Sequence, residues 1–85
     1  MNFTNRVLAV VKKIPKGKTL TYKEVARKAL SPRAYRAVGS ILKRNYNPTI
    51  PCHRVVKSDG TLGGYNRGAI KKRALLKQEG NSLDF

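Results

Sequence analysis

The sequence predicts a small, mostly α-helical domain in which two short helices form a helix-turn-helix. Its 85 residues leave room for one domain with a modest core. Apolar residues recur at helical spacing in several segments, which is the primary signal for amphipathic helices. Helix-start signals precede two of these segments: Thr21 with Glu24, and Ser31 with Pro32. We therefore treat residues 1–85 as a single domain.

The first helix is predicted to begin at Thr4, whose hydroxyl can cap it, and to run to about Lys13. Pro15 and Gly17 then end it, because both residue types interrupt helical patterns. Leu20 follows in a short extended stretch. The apolar side of this helix consists of Val7, Leu8, Val10, Val11 and Ile14.

The second helix opens with a capping box at Thr21 and runs to about Leu30. The third opens at Ser31, with Pro32 in its first turn, and runs to about Arg44. Two short helices with so tight a connection predict a helix-turn-helix. The inward residues of the second helix are Val25, Ala26, Ala29 and Leu30; those of the third are Ala34, Val38, Ile41 and Leu42.

The outer side of the third helix combines basic and small residues. It carries Arg33, Arg36, Gly39, Ser40 and Lys43. Small residues let a helix approach a groove closely, while Arg and Lys hold phosphates, so this face predicts a contact with nucleic acid. An ordinary solvated face stays open as the alternative.

A small β-hairpin and a last helix complete the predicted fold. Arg54 to Lys57 alternates as a strand would, a turn follows, and Thr61–Leu62 forms the return strand. The last helix spans about Ala69 to Gln78 and ends at Gly80, with Ile70, Ala74 and Leu75 inward. A helix-turn-helix followed by a hairpin is a winged-helix-like arrangement.

Charge is the strongest compositional signal. The chain has 19 Lys plus Arg against 4 Asp plus Glu, a formal net charge of +15. Such a field on a small domain favours a polyanionic partner, and nucleic acid is preferred over an anionic membrane surface or charge kept for solubility alone. A single cysteine excludes an intramolecular disulfide. We therefore expect a cytoplasmic protein, near the nucleoid in a prokaryote, with no membrane partner.

Cys52 and His53 are the only cysteine and the only histidine, and they are adjacent. Cysteine reacts as the thiolate, which a nearby imidazole or a cation such as Arg54 favours. On a strand these neighbours would point to opposite faces, so a bridging water or a bend would have to pass the proton between them. A buried structural cysteine stays open as the alternative. Zinc is disfavoured, because one thiol and one imidazole fall short of four ligands.

Glu79 is the only carboxylate free to orient the imidazole of His53. Of the other three acidic residues, Glu24 is used in a cap, Asp59 lies in a turn and Asp84 in the tail. A Cys–His–Glu relay, in which the carboxylate holds the imidazole and the imidazole accepts the thiol proton, is chemically consistent. Spacing does not prove that Glu79 meets His53, and on the sequence alone a surface glutamate near the end of a helix is the favoured interpretation.

The segment from Pro51 to Val56, Pro-Cys-His-Arg-Val-Val, resembles the active-site signature of the methylated-DNA–protein-cysteine methyltransferases, the alkylguanine-DNA alkyltransferases. The resemblance covers nearly the whole chain. The other matching landmarks, in the family's order, are Thr21–Tyr22, Ser31 to Gly39, Asn45, Gly64–Tyr65 and Glu79–Gly80. The chain resembles the DNA-binding and catalytic domain of that family, without the amino-terminal domain that most members carry.

The resemblance implies an irreversible DNA-repair reaction. A flipped-out base would give its alkyl group from O6 of guanine, and by the same chemistry from O4 of thymine, directly to Cys52. It implies that His53 is the water-relayed base and Glu79 its orienting partner. Tyr22 would assist the leaving guanine, and Asn45 would brace the helix-turn-helix against the active site. No metal or cofactor is implied, and each molecule would act once.

The resemblance also implies which residues contact DNA. Arg36 would fill the gap left by the flipped base, and the third helix would lie in the minor groove. The helix residues in question are Arg33, Ala37, Gly39, Ser40 and Lys43, and the pocket residues are Tyr65, Asn66, Leu42 and Pro51. The expected partner is double-stranded DNA containing O6-alkylguanine, bound by a monomer.

Two other functions stay open. Alkyltransferase-like proteins of this size bind alkylated DNA without chemistry, but they carry Trp where this chain has Cys52. A helix-turn-helix regulator is the further alternative; such regulators usually dimerise, and the sequence shows no dimerisation helix.

Overall fold

A computed structural model describes residues 2–58 and 68–80, and over these ranges the chain is mostly helical with one small sheet. The order of elements is α1 (Phe3–Lys12), β1 (Leu20–Thr21), α2 (Tyr22–Lys28), α3 (Tyr35–Lys43), a 3₁₀ turn (Cys52–Arg54), β2 (Val55–Val56) and α4 (Ala69–Gln78). The predicted fold class is thereby confirmed.

The cap of helix α1 lies two residues earlier than predicted, because Asn2 and not Thr4 caps it. The Asn5 amide N donates to Asn2 Oδ1 at 2.8 Å, which satisfies a backbone donor in the first turn. Val7 and Val11, one turn apart, are fully buried. The prediction failed because a Thr and an Asn within three positions are both good caps, and the sequence does not rank them.

The capping box of α2 is confirmed in both directions. The Glu24 amide donates to Thr21 Oγ1 at 3.0 Å, and the Thr21 amide donates to Glu24 Oε1 at 3.0 Å. The helix ends at Lys28, earlier than predicted, and Leu30 has a left-handed φ of 67°. The inward assignment of Leu30 was wrong, since its side chain is 78% exposed.

Helix α3 starts at Tyr35, so the predicted start at Ser31–Pro32 was wrong. Ser31 instead closes the end of α2, its amide donating to the Ala26 carbonyl at 3.0 Å. Its own carbonyl accepts from Ala34 at 2.9 Å, which makes residues 31–34 a turn and not a first helical turn. The chain needs this turn to redirect α3 against α2. The two helices pack together, as a helix-turn-helix requires.

The sheet has two strands, β1 and β2, which pair in parallel with Leu20 opposite Val55 and Thr21 opposite Val56. The predicted return strand of the hairpin, Thr61–Leu62, lies outside the described residues. Within the described ranges the partner of β2 is therefore β1, and this pairing connects the start of α2 to the end of the 3₁₀ turn.

Helix α4 has the predicted bounds, and Gly80 follows it with a φ of 88°. Its predicted inward face was wrong at Ile70 and Ala74, while the third predicted residue, Leu75, is half-buried. Ile70 is 89% exposed and Ala74 is exposed, whereas Lys72 and Leu76, one turn apart, are fully buried. A lysine can occupy an inward position only when its ammonium finds partners, and no apolar pattern signals that. No helix within residues 2–58 and 68–80 is long and apolar enough to cross a membrane.

Candidate active site

The 3₁₀ turn carries the adjacent cysteine and histidine directly after Pro51. The Cys52 amide donates to the Ile50 carbonyl at 2.8 Å and the Arg54 amide donates to the Pro51 carbonyl at 3.0 Å. Side chains in a 3₁₀ turn are separated by about a third of a revolution, and they do not alternate between two faces. Cys52 and His53 therefore do not point to opposite faces as they would on a strand, because the backbone bends here. Cys52 is 8% exposed.

The amide of Asn45 donates to the thiol. Asn45 Nδ2 lies 3.2 Å from Cys52 Sγ, and Asn45 Oδ1 accepts from the Asn47 amide at 3.3 Å. The second contact fixes which end of the side-chain amide faces the sulfur. A donor aimed at sulfur favours the thiolate over the thiol, because it stabilises the charged form. The side chain of Asn45 thus connects the segment that follows α3 to the reactive turn.

His53 and Glu79 meet, as the resemblance to the family implied. His53 Nε2 lies 3.0 Å from Glu79 Oε1, and the two side chains are 12% and 11% exposed. The pair connects the reactive turn to the residue that ends α4. A carboxylate in this place can hold the imidazole in one orientation and stabilise its protonated form.

Arg54 holds the same carboxylate with two hydrogen bonds. Arg54 Nε lies 2.9 Å from Glu79 Oε1 and Nη2 lies 2.6 Å from Oε2, while Nη1 donates to the Ile14 carbonyl at 2.8 Å. The bonds to Arg54, with a smaller contribution from His53, lower the pKa of Glu79 to about 2, and the bond to Glu79 raises the pKa of Arg54. Glu79 therefore stays ionised beside His53. The sequence indicated only a fixed positive charge at Arg54.

The turn after α1 closes over this carboxylate residue. Gly17 has a φ of 88°, and a Cβ added to it would lie 3.3 Å from the Glu79 carbonyl oxygen. A side chain at this position would strain the backbone and press on the end of α4. The predicted helix-ending role of Gly17 thus comes with a second one, close packing against Glu79.

On another side of the reactive turn lies the buried ammonium of Lys72. Lys72 Nζ donates to the Val55 carbonyl at 2.6 Å and lies 5.8 Å from the centroid of the Tyr22 ring. Burial lowers the pKa of Lys72 to about 8, and burial with the charge of Cys52 raises the pKa of Tyr22. Sequence reasoning missed Lys72, because a lysine between Lys71 and Arg73 gives no signal of burial.

Two cavities lie at the site. The first has a volume of about 400 Å³ and is lined in part by Asn45, Pro51, Cys52, His53 and Glu79. The second has a volume of about 430 Å³, and its lining residues are Tyr22, Lys23, Tyr35, Arg36, Lys57 and Ser58. The predicted pocket residue Pro51 thus lines the cavity that contains the thiol.

The residues predicted to contact DNA lie mainly on the exposed side of α3. Arg36, Ala37, Ser40 and Lys43 are exposed there, and Arg33 is exposed in the preceding turn. Gly39 is half-buried instead, and a Cβ there would lie 3.9 Å from Tyr22 Cε1. Leu42 belongs to the core. Tyr65 and Asn66 lie outside the described residues.

Sequence comparison decides the family. Residues 2–81 match the profile of the DNA-binding domain of 6-O-methylguanine DNA methyltransferase. The chain belongs to this family.

Two curated members of the family are identical to this chain at somewhat under half of the aligned positions. The methylated-DNA–protein-cysteine methyltransferase of Methanothermobacter thermautotrophicus is 49% identical over 83 residues, and the human protein of the same name is 43% identical over 84 residues. The alignments cover 96% of this chain in both cases, but only 46% and 41% of the relatives. The chain therefore spans about half the length of the curated relatives it matches.

Solved structures of the family share the fold. Mycobacterium tuberculosis OGT in complex with DNA matches with a TM-score of 0.88 and 41% identity, covering 94% of this chain and 49% of that one. Atl1 of S. pombe, solved with damaged DNA containing O6-carboxymethylguanine, matches with a TM-score of 0.82 and 36% identity. That match covers 92% of this chain and 75% of Atl1. Both matches agree with the mostly helical fold described above.

Within residues 2–58 and 68–80, side chains that could bind a metal ion do not cluster. No group of three His, Cys, Asp or Glu side chains converges there as a metal site would require. The reactive turn and the residues around it bring together a thiol, an imidazole, a carboxylate, an amide, a phenol and two basic groups.

Proposed function

We propose that this chain repairs DNA by transferring an alkyl group from O6 of guanine to the sulfur of Cys52. The observation that carries the proposal is the arrangement around that sulfur. An amide N–H points at the thiol from 3.2 Å, and the neighbouring imidazole lies 3.0 Å from an ionised carboxylate. Family membership adds the reaction class, because relatives are named methylated-DNA–protein-cysteine methyltransferases.

In the proposed reaction His53 accepts the thiol proton through a bridging water, and Glu79 stabilises the imidazolium that forms. The thiolate then attacks the alkyl carbon. One S–C bond forms and the C–O6 bond breaks, with its electron pair leaving on guanine. Guanine takes up one proton as it departs. Tyr22 supports that step, since a raised pKa keeps its hydroxyl protonated and able to donate.

The product of this transfer is a thioether on Cys52. Thioethers are stable, and the sequence contains no second cysteine that could attack the alkylated sulfur. Each molecule therefore reacts once. The protein is consumed in the reaction, and the amount of alkyl group removed equals the amount of active protein.

DNA is the proposed partner, bound through the exposed side of α3. The net charge of +15 favours phosphate contacts, and Arg36 and Lys43 are exposed on this helix. A base inside a duplex cannot reach a thiol that is 8% exposed, so the guanine has to be flipped out. Arg36 lines the cavity that also contains Tyr22, which supports its role in filling the gap left by the flipped base.

The test is the intact mass of the protein after incubation with duplex DNA containing O6-methylguanine. We expect a gain of one methyl group, mapped to Cys52 by peptide analysis, with no gain in Cys52→Ser. Unmodified duplex of the same sequence is the control for DNA. An unchanged mass of the wild-type protein, at concentrations where the duplex is fully bound, would contradict alkyl transfer.

A second candidate is a binder of alkylated DNA that performs no chemistry. The observation that favours it is the match to Atl1, solved with damaged DNA containing O6-carboxymethylguanine, at a TM-score of 0.82 and 36% identity. The same experiment separates the two functions. Preference for the lesion without a mass gain supports the binder, whereas a methyl group on Cys52 excludes it.

A further inference from the structure

The cavity of about 430 Å³ that contains Arg36 is lined by aromatic and basic side chains. Two phenol rings border it, from Tyr22 at the start of α2 and Tyr35 at the start of α3. The ammonium groups of Lys23 and Lys57 add positive charge. Proteins hold unstacked nucleotides with this combination, because a base stacks on a ring while a phosphate contacts a cation. Its volume is in the range of cavities that hold small ligands.

The two rings lie along the same side of α3. Gly39 is one turn after Tyr35, so the two positions share a face of the helix. A Cβ on Gly39 would lie 3.9 Å from Tyr22 Cε1, which places the Tyr22 ring against that face. Tyr35 therefore continues towards the exposed end of the cavity the aromatic surface that Tyr22 begins.

Tyr35 presents a large ring on the helix that is proposed to contact DNA. Its side chain is 37% exposed, and Lys23 Nζ lies 5.5 Å from the centroid of its ring. A cation over an aromatic face restricts the orientations of the ring. The exposed fraction leaves ring area that a nucleic-acid base can cover. Tyr46, which is 62% exposed, lies outside this cavity.

The neighbour of Tyr35 determines which base its ring can reach. Arg36, the next residue of α3, is proposed to fill the gap left by the flipped guanine. Successive helical residues rise by about 1.5 Å, so the ring of Tyr35 stands close to that gap. The flipped guanine itself goes to the cavity of Cys52, whose described lining does not include Tyr35. A base that borders the gap has lost a stacking neighbour, and an aromatic ring can replace it.

We propose that Tyr35 is a specificity-determining residue whose ring stacks on the base that borders the gap in the lesion-containing strand. Arg36 fills the gap, and Tyr35 replaces the stacking that flipping removes. The inference rests on the proposed function in assuming that a base leaves the duplex, but it does not require alkyl transfer. The preference for DNA with a missing or flipped base then depends on Tyr35, whereas the affinity for intact duplex does not.

The first experiment measures dissociation constants for a duplex with one tetrahydrofuran abasic site and for the intact duplex of the same sequence. The gap is preformed in the abasic duplex, which contains no alkyl group. Tyr35→Ala should bind it about tenfold more weakly than the wild type and bind the intact duplex within about twofold. Tyr35→Phe keeps the ring and should match the wild type, as should the control Tyr46→Ala.

Three results would overturn the proposal: an unchanged affinity of Tyr35→Ala for the abasic duplex, an equal loss on both duplexes, or a Tyr35→Phe protein that binds like Tyr35→Ala. Circular dichroism establishes that each variant is folded. The half-exposed position of Tyr35 outside the core cluster makes both substitutions compatible with the fold.

Lys23 offers a different explanation for a loss of affinity, because the Tyr35 ring could act only by orienting this ammonium towards a phosphate. Lys23→Met separates the two. Loss of one phosphate contact should reduce the slope of log affinity against log salt concentration by about one. Tyr35→Ala removes no charge, so its slope should equal that of the wild type. A slope reduced as in Lys23→Met would contradict stacking.

Photo-cross-linking identifies the stacked base directly. 5-Iodouracil replaces in turn the base on each side of the abasic site and the base opposite it, and long-wavelength light links it to an aromatic ring in stacking contact. Peptide mass spectrometry should place the link at residue 35 from one flanking position, in the wild type and in Tyr35→Phe.

A cross-link at Tyr22 alone, a cross-link from the opposite position alone, or no cross-link would overturn the proposal. Alkyl transfer is measured separately, as the mass gain on Cys52. A cross-link at Tyr35 without that gain therefore supports the stacking role and contradicts the repair reaction, so the two failures are distinguishable.

Discussion

Helices α1 to α3 and the joint between the 3₁₀ turn and α4 are stabilised by different forces. The first three helices bury a continuous set of aliphatic side chains: Val7, Val11, Ile14, Val25, Ala26, Ala29, Val38 and Leu42. Helix α4, over its described side chains, adds Leu76 as its fully buried apolar residue. Its other anchors are polar, namely Lys72 on Val55 and Glu79 on Arg54 and His53.

The difference shows where directional contacts are needed. Apolar burial is roughly proportional to area and depends little on orientation, so it suits a scaffold. Charge-assisted hydrogen bonds fix distance and angle, so they suit the joint at which a thiol, an imidazole and a carboxylate must be aligned. The cost is that loss of one polar partner leaves another buried group unsatisfied.

The largest expected effect follows from breaking the polar joint at Arg54. Arg54→Met leaves the Glu79 carboxylate and the Ile14 carbonyl without their donors, and the free energy of unfolding should fall by about 3 kcal/mol. Alkyl transfer should slow as well, because Glu79 is released. Urea unfolding measures the first and single-turnover methyl transfer the second. Arg73→Met removes the same charge from an exposed site of α4 and should do neither.

A cavity in the scaffold should lower stability without altering the joint. Val25 is fully buried in α2, and Val25→Ala removes two methyl groups, which should cost about 2 kcal/mol in the free energy of unfolding. The iodoacetamide reactivity of Cys52 in the folded protein should stay within twofold of the wild type. A large loss of reactivity in Val25→Ala would mean that the two regions are not separable.

Acid should weaken the joint through Glu79. Its folded pKa of about 2 lies below the ordinary value of 4.5, chiefly because of its bonds to Arg54. A depressed folded pKa means that the ionised carboxylate contributes stability above about pH 4.5 and loses it as the pH falls towards 2. In Glu79→Gln this loss should be absent. Urea unfolding between pH 5 and 2 tests this, and parallel curves for the two proteins would refute it.

The smallest expected effect is a gain in stability when Leu30, just after the end of α2, is replaced by glycine. Its φ of 67° is unfavourable for a side chain with a Cβ, and the side chain is 78% exposed. Leu30→Gly should relieve about 1–2 kcal/mol of strain, partly offset by the greater entropy of the unfolded glycine, for a net gain of about 0.5 to 1 kcal/mol. Leu30→Ala keeps the Cβ and should show little gain. Thermal unfolding compares the three proteins.

The scaffold was more predictable from sequence than the joint, and the reason is physical. Apolar periodicity reports burial, so the α1 core residues Val7 and Val11 follow from it, whereas in α4 the bounds were predicted but the buried residues were not. The capping box at Thr21 is a local pattern and was confirmed. The start of α3 was missed because Ser31 and Pro32 also suit a turn, and the contact of Ser31 with Ala26 decides between the two.

At the site, the sequence indicated which residues could take part in the chemistry, but only some of their hydrogen-bond partners. Glu79 was singled out because the chain has few carboxylates, but its partnership with His53 was implied by the resemblance and not by the sequence pattern. Arg54 and Lys72 were missed as partners because nineteen basic residues look alike in the sequence, and only the fold distinguishes a buried one. The inward assignment of Ile70 failed for the same reason. Lys72 faces the core, and this orientation of α4 turns Ile70 to the surface.

The parallel pairing of Leu20 with Val55 has a consequence for how the protein is made. The two strands come from opposite halves of the chain, so pairing requires closure of a long loop, and such contacts form late in folding. The ribosome also delivers α1 to α3 before the reactive turn and α4. We therefore expect the helical scaffold to assemble first, while Cys52 is still an ordinary thiol. High reactivity of Cys52 would then mark a molecule whose synthesis and folding are complete, and stalled or misfolded chains would leave alkylated DNA untouched.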